Sequence, residues 1–74
     1  MVFPRLEELR TVRRMSLEEI AAVLSCKREM YRRYEKGITK IPIWAVYKLA
    51  DYYNTSMDYI LGLTDNPEPY ERTP

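Results

Sequence analysis

The sequence predicts an all-α domain of five short helices. Apolar residues recur at helical spacing, as Leu17, Ile20, Ala21 and Leu24 do at i, i+3, i+4 and i+7. Helix-start signals, Pro4, Ser16, Pro42 and Ser56, stand ahead of such stretches. Gly37 and Gly62 stand where two of them end. No run reads as a strand.

The first helix is expected over residues 5–14. Pro4 suits a first helical position, where its missing N–H would have no partner anyway. Leu6, Leu9 and Val12 follow at roughly helical spacing. Glu7 and Glu8 sit early and Arg13 and Arg14 late, as the helix dipole favours. Met15 leads directly into the second helix, residues 16–24. There Ser16 and Glu19 have capping-box spacing, in which hydroxyl and carboxylate each satisfy a backbone N–H left free at a helix start.

The turn Leu24-Ser25-Cys26 leads to the third helix, residues 27–36. It carries Lys27, Arg28, Arg32, Arg33 and Lys36 against Glu29 and Glu35, with Tyr31 and Tyr34 at i, i+3. Two aromatic anchors behind and several cations in front describe a helix that holds positive charge outward. Gly37, free to take φ > 0, ends it.

A loop, residues 37–41, reaches Pro42 and the fourth helix, residues 43–53. Ala45, Val46, Leu49, Ala50 and Tyr53 form its core stripe, while Ile43, Trp44 and Tyr47 lie on a different side. Asn54-Thr55 breaks the pattern, Ser56 caps a short fifth helix over 57–61, and Gly62 closes it. Three prolines in the last eight residues predict a mobile or loosely docked tail. Residues 1–63 are therefore read as one domain and 64–74 as a short C-terminal tail.

Seventy-four residues suffice for one small core and not for two. Net charge is only +1, but residues 1–64 carry eleven basic and eight acidic side chains, with the cations concentrated in the third helix. Cys26 is the single cysteine, which excludes an intramolecular disulfide and fits a small core residue better than a redox sensor. With no histidine, a His-based catalytic dyad is excluded and a zinc site would rest on carboxylates. No nucleophile–base pair, cofactor motif or metal cluster is visible, so an enzyme is not expected. The chain has no apolar run near the roughly 18 residues of a membrane span and no signal-peptide core, and a cytoplasmic location is expected.

The order and spacing of these elements resemble the helix-turn-helix family of the lambdoid phage repressors, Cro and the small xenobiotic-response-element-type (XRE) bacterial regulators. The likeness covers residues 5–63. Ala21 matches the small residue where the motif's helices meet, and Cys26, Tyr31 and Tyr34 match its buried positions. Tyr34-Glu35-Lys36-Gly37 resembles the ending of its second helix, Pro42 follows at the family's distance, and Asp58-Tyr59-Ile60-Leu61-Gly62 resembles its closing helix.

The resemblance implies a five-helix, lambda-repressor-like DNA-binding domain whose partner is double-stranded DNA. It also implies a structural pair between Arg10 and Glu35. Three positions depart from the family pattern. Ser25 replaces a frequent turn glycine, which predicts a strained backbone there. Leu17 replaces a phosphate-binding glutamine, and Lys27 replaces a Ser or Thr cap.

In such proteins the third helix enters the major groove and presents its first residues to base edges. Arg28 is the leading candidate for guanine, with Glu29, Arg32 and Arg33 as further base readers, although Arg32 and Arg33 suit phosphates as well. Glu29 has the open alternative of pairing with Arg32 or Arg33. Lys27, Lys36 and Lys40 are expected on phosphates. Half-sites about one DNA turn apart require a second copy, and Ile43, Trp44 and Tyr47 of the fourth helix, with the fifth helix and the tail, are the expected homodimer surface. A lone surface tryptophan is the plainer reading of Trp44.

The function expected is a sequence-specific transcriptional regulator, a repressor acting by operator occupancy. Alternatives are the antitoxin of a toxin–antitoxin pair, with a toxin as partner, and a protein-interaction module that has lost DNA affinity.

Overall fold

The computed structural model of the chain describes residues 2–69, and among them it forms five helices and no strand. They are α1 (Pro4–Val12), α2 (Leu17–Val23), α3 (Arg28–Glu35), α4 (Ile43–Tyr53) and α5 (Met57–Ile60). The starts follow local chemistry. Ser16 Oγ accepts the Glu19 N–H at 3.1 Å while Glu19 Oε1 accepts the Ser16 N–H at 2.9 Å, a complete capping box. Ser56 Oγ accepts the Tyr59 N–H at 3.0 Å and starts α5. Pro4 occupies the first turn of α1.

All five helices stop in the same way. A left-handed residue donates its N–H to the carbonyl three residues back, and the next residue donates to the carbonyl five back. This Schellman arrangement gives the last free carbonyls a partner. The left-handed residues are Arg14 (φ 56°), Ser25 (φ 53°), Gly37 (φ 73°), Asn54 (φ 55°) and Gly62 (φ 78°). Glycine takes that conformation freely, whereas the other three bear a Cβ that crowds the following carbonyl.

The fourth helix has the expected bounds, and the others differ by one or two residues at their ends. The α1 helix ends at Val12 because Arg14 has already turned left-handed. Val12 is 73% exposed. Steps of three residues lag the helical repeat by about 60° each, so Val12 sits about 120° round from Leu6. In α3, Lys27 and Lys36 flank the helix rather than belong to it.

The core gathers Leu6 from α1, Ile20, Ala21 and Leu24 around α2, Tyr31 and Tyr34 from α3, Ala45, Val46, Leu49, Ala50 and Tyr53 from α4, and Ile60 from α5. Fully burying a Leu, Ile or Val side chain is worth about 1.5–3 kcal/mol relative to leaving it exposed. Leu6 is the one buried residue of α1, with Leu9 packed at the margin, so this helix leans on polar clamps as well.

Arg5 and Arg10 are those clamps. Arg5 stacks 3.9 Å over the Tyr59 ring and donates to the carbonyls of Tyr59 and Thr64 and to Asp65 Oδ1. Thr55 Oγ1 donates to the Pro67 carbonyl at 2.6 Å. Thr64, Asp65 and Pro67, at the start of the expected tail, are thus tied to α1 and to the α4–α5 link. The remainder of the expected tail, 70–74, lies outside the described residues.

Candidate nucleic-acid interface

The hydrophobic spacing of α3 decides which of its residues face out. Tyr31, Tyr34 and Glu35 are buried, and the face opposite carries Glu29, Arg33 and Lys36, with Arg28 and Arg32 beside them. Burial, and next the nearby Glu35 charge, hold the Tyr31 hydroxyl well above the ordinary phenol range, so Tyr31 stays neutral within the core.

Glu35 is only 3% exposed, and its charge is matched from α1. Arg10 Nε and Nη2 donate to Glu35 Oε2 and Oε1, both at 2.9 Å, and Arg10 Nη1 donates to the Met15 carbonyl at 2.9 Å. One guanidinium therefore ties together α1, the α1–α2 link and the last turn of α3. The structure brings this sequence-matched pair into bidentate contact.

Ahead of α3, the turn through Ser25 keeps α2 tight against it. Ser25 donates to the Ala22 carbonyl at 3.1 Å, and Cys26 donates to that of Ala21 at 3.0 Å. Cys26 is half-buried, and burial raises its thiol pKa, which disfavours the reactive thiolate. Behind α3, the Arg33 carbonyl accepts from both Ile38 (2.9 Å) and Thr39 (3.2 Å), fixing the start of the loop that carries Lys40.

Lys27, Arg28, Arg33, Lys36 and Lys40 are exposed and form no ion pair with described residues. Glu29 and Arg32 behave differently. Arg32 Nε donates to Glu29 Oε2 at 3.1 Å and Nη2 to Oε1 at 3.0 Å. The guanidinium bond holds the Glu29 carboxyl below its usual range. Of the two acids on α3, one is consumed by α1 and the other by Arg32, so the exposed face is strongly cationic.

The two helix starts of the motif differ. At α2 the Ser16–Glu19 box occupies backbone N–H groups, and Glu18 and Glu19 place negative charge there. At α3 the Lys27 side chain caps nothing, which leaves first-turn N–H groups without a side-chain partner beside two basic residues. On α4, Ile43, Trp44 and Tyr47 are 69%, 49% and 57% exposed and form an apolar face away from the core. Among the described residues, no helix is long and apolar enough to cross a membrane.

Two helices joined by a tight turn, the second anchored inward by aromatics and cationic outward, make up a helix-turn-helix unit. The family model described as Helix-turn-helix matches residues 6–60, and the chain belongs to that family. It is 38% identical over 69 residues to YobD, an uncharacterized HTH-type transcriptional regulator of Bacillus subtilis (strain 168), covering 93% of this chain and 62% of that protein. It is 36% identical over 62 residues to the HTH-type transcriptional regulator AnsR of the same organism, covering 84% of this chain and 53% of that one. The chain thus spans little more than half the length of these curated relatives. No solved structure matches.

Proposed function

We propose that the chain is a sequence-specific DNA-binding transcriptional regulator that lays α3 in the major groove and represses by occupying its operator. The observation that carries this reading is the division of α3. Its inner face is locked by Tyr31, Tyr34 and the Arg10–Glu35 pair, and its outer face carries unpaired cations. A rigidly held helix keeps its base-reading side chains in register, which sequence discrimination requires. The two Bacillus relatives, both called HTH-type transcriptional regulators, support the same reading.

Arg28, Arg32 and Arg33 address bases, and Lys27, Lys36 and Lys40 address phosphates. The open start of α3 favours a phosphate, because the helix dipole and free N–H groups act together. The capped and acidic start of α2 does not. The apolar face of Ile43, Trp44 and Tyr47 pairs two copies, so that two α3 helices meet two half-sites.

Selection of bound sequences from a random duplex library, followed by affinity against salt, tests the proposal. An enriched site is expected, with log K falling by about 0.9 per phosphate neutralised for each unit of log salt. Removing Lys36 or Lys40 should lower that slope by about one and leave the preferred sequence intact. A chain that enriches no sequence overturns the reading.

A further inference from the structure

Glu29 and Arg32 lie one turn apart on the exposed side of α3, and both carboxylate oxygens are engaged by the Nε and Nη2 groups of one guanidinium. A guanidinium is a planar fork with five N–H donors. Glu29 takes the Nε–Nη2 edge. The far end of the fork, with one outward N–H each on Nη1 and Nη2, stays free. That end matches the paired acceptors O6 and N7 of guanine in the major groove.

We infer that Arg32 reads a guanine end-on while Glu29 holds it from the side as a positioning residue. The inference rests on the DNA-binding reading above and adds to it a named base and a role for the acid on the DNA face. An unbraced arginine must give up rotamer freedom when it docks, and bracing it in the free protein removes much of that cost. Glu29, with both oxygens turned to Arg32, acts on the base through that guanidinium. Its charge also faces the phosphates and weakens binding to any duplex. The pair therefore lowers general affinity and raises discrimination.

The test uses the full chain and its Glu29→Ala, Glu29→Gln and Arg32→Ala variants, all surface changes checked for folding by circular dichroism. Each is put through sequence selection and then titrated with the selected site and an unrelated duplex. The same G·C position should lose its preference in Arg32→Ala and in Glu29→Ala, by about tenfold. Glu29→Gln, which keeps one acceptor, should fall between. Glu29→Ala should bind the unrelated duplex several-fold more tightly than the parent, and adding it to Arg32→Ala should change nothing further at that position. Loss of a cytosine preference at a separate position in Glu29→Ala would make Glu29 a base reader and overturn the inference. Unchanged preferences in Glu29→Ala would leave the pair a surface bridge, with the same consequence. A parent chain that enriches no sequence overturns both readings, and that is visible before any variant is compared.

Discussion

The Arg10 guanidinium and the Glu35 carboxylate meet through two parallel 2.9 Å hydrogen bonds, joining the last turn of α1 to the last turn of α3. Their side chains are 15% and 2% exposed, so solvent screens the pair little. Burying two charges costs nearly what their attraction returns, which makes the intact pair a poor source of net stability. Its removal by halves is another matter. Glu35→Ala leaves a part-buried guanidinium without its carboxylate and should cost up to about 3–5 kcal/mol, the figure for a fully buried pair. Replacing both residues with apolar ones should recover a large part of that loss. Urea unfolding of the three variants decides it, and a Glu35→Ala midpoint equal to the parent's would refute the role given to the pair.

The helix ends invite a second measurement. A left-handed residue with a side chain costs about 1–2 kcal/mol, against roughly 0.5–1 kcal/mol for the extra unfolded-state freedom of glycine. Ser25→Gly and Arg14→Gly should each stabilise the fold, by up to about 1 kcal/mol. Gly37→Ala, the reverse change, should destabilise it by a similar net amount, up to about 1 kcal/mol. Shifted denaturation midpoints with unchanged slopes are expected, and a destabilised Ser25→Gly contradicts the account.

Tyr53 offers a prediction in pH. Its hydroxyl is buried without a hydrogen-bond partner among the described residues, and burial, opposed in part by Arg13, leaves its pKa pushed up to about 12. The folded value lies above the ordinary phenol value of about 10. Its contribution is therefore intact below pH ~10 and is lost as pH rises toward the folded value, by at most about 1.4 kcal/mol per pH unit. Tyr31, raised in the same direction, adds to the loss. Tyr53→Phe removes one buried unpaired hydroxyl and should gain about 1 kcal/mol at neutral pH. Its advantage over the parent should widen above pH 10. Thermal melts across pH 7–11 read both effects, and a constant gap would exclude Tyr53 as the titrating group.

The pairing proposed for α4 is open to a direct assay. Trp44 is half-exposed and off the core stripe, so Trp44→Ala should leave the melting temperature within a few degrees of the parent. Sedimentation equilibrium should show a dimer weakened at least tenfold. A dimer constant unaffected by the substitution removes Trp44 from the interface.

Much of this architecture was legible in the residues themselves. The Ser16–Glu19 box, Pro42 ahead of α4 and Ser56 ahead of α5 are local devices, complete within four residues, and periodicity marks the stripe they precede. Asn54-Thr55 likewise marks the end of α4 where it falls. The stop at Arg14 was not legible, because arginine does not announce a left-handed conformation as glycine does. The fastening of residues 64–67 was also hidden. It runs from Arg5 and Thr55 to backbone carbonyls, which carry no residue-specific signal and lie up to 59 positions away. On α3 the spacing separates inner from outer residues, yet it left Glu29 a choice between Arg32, Arg33 and a base. Only the positions of its oxygens reveal the pairing with Arg32.

The anchoring of α3 has a further consequence for how such a protein can change. Among the described residues, the α3 side chains that hold the helix against the core, Tyr31, Tyr34 and Glu35, are buried on its inner face. Exchanging Arg28, Glu29, Arg33 or Lys36 should move folding stability by no more than about 0.5 kcal/mol. New binding preferences can therefore arise by drift across the outer face, one side chain at a time, without any intermediate that fails to fold.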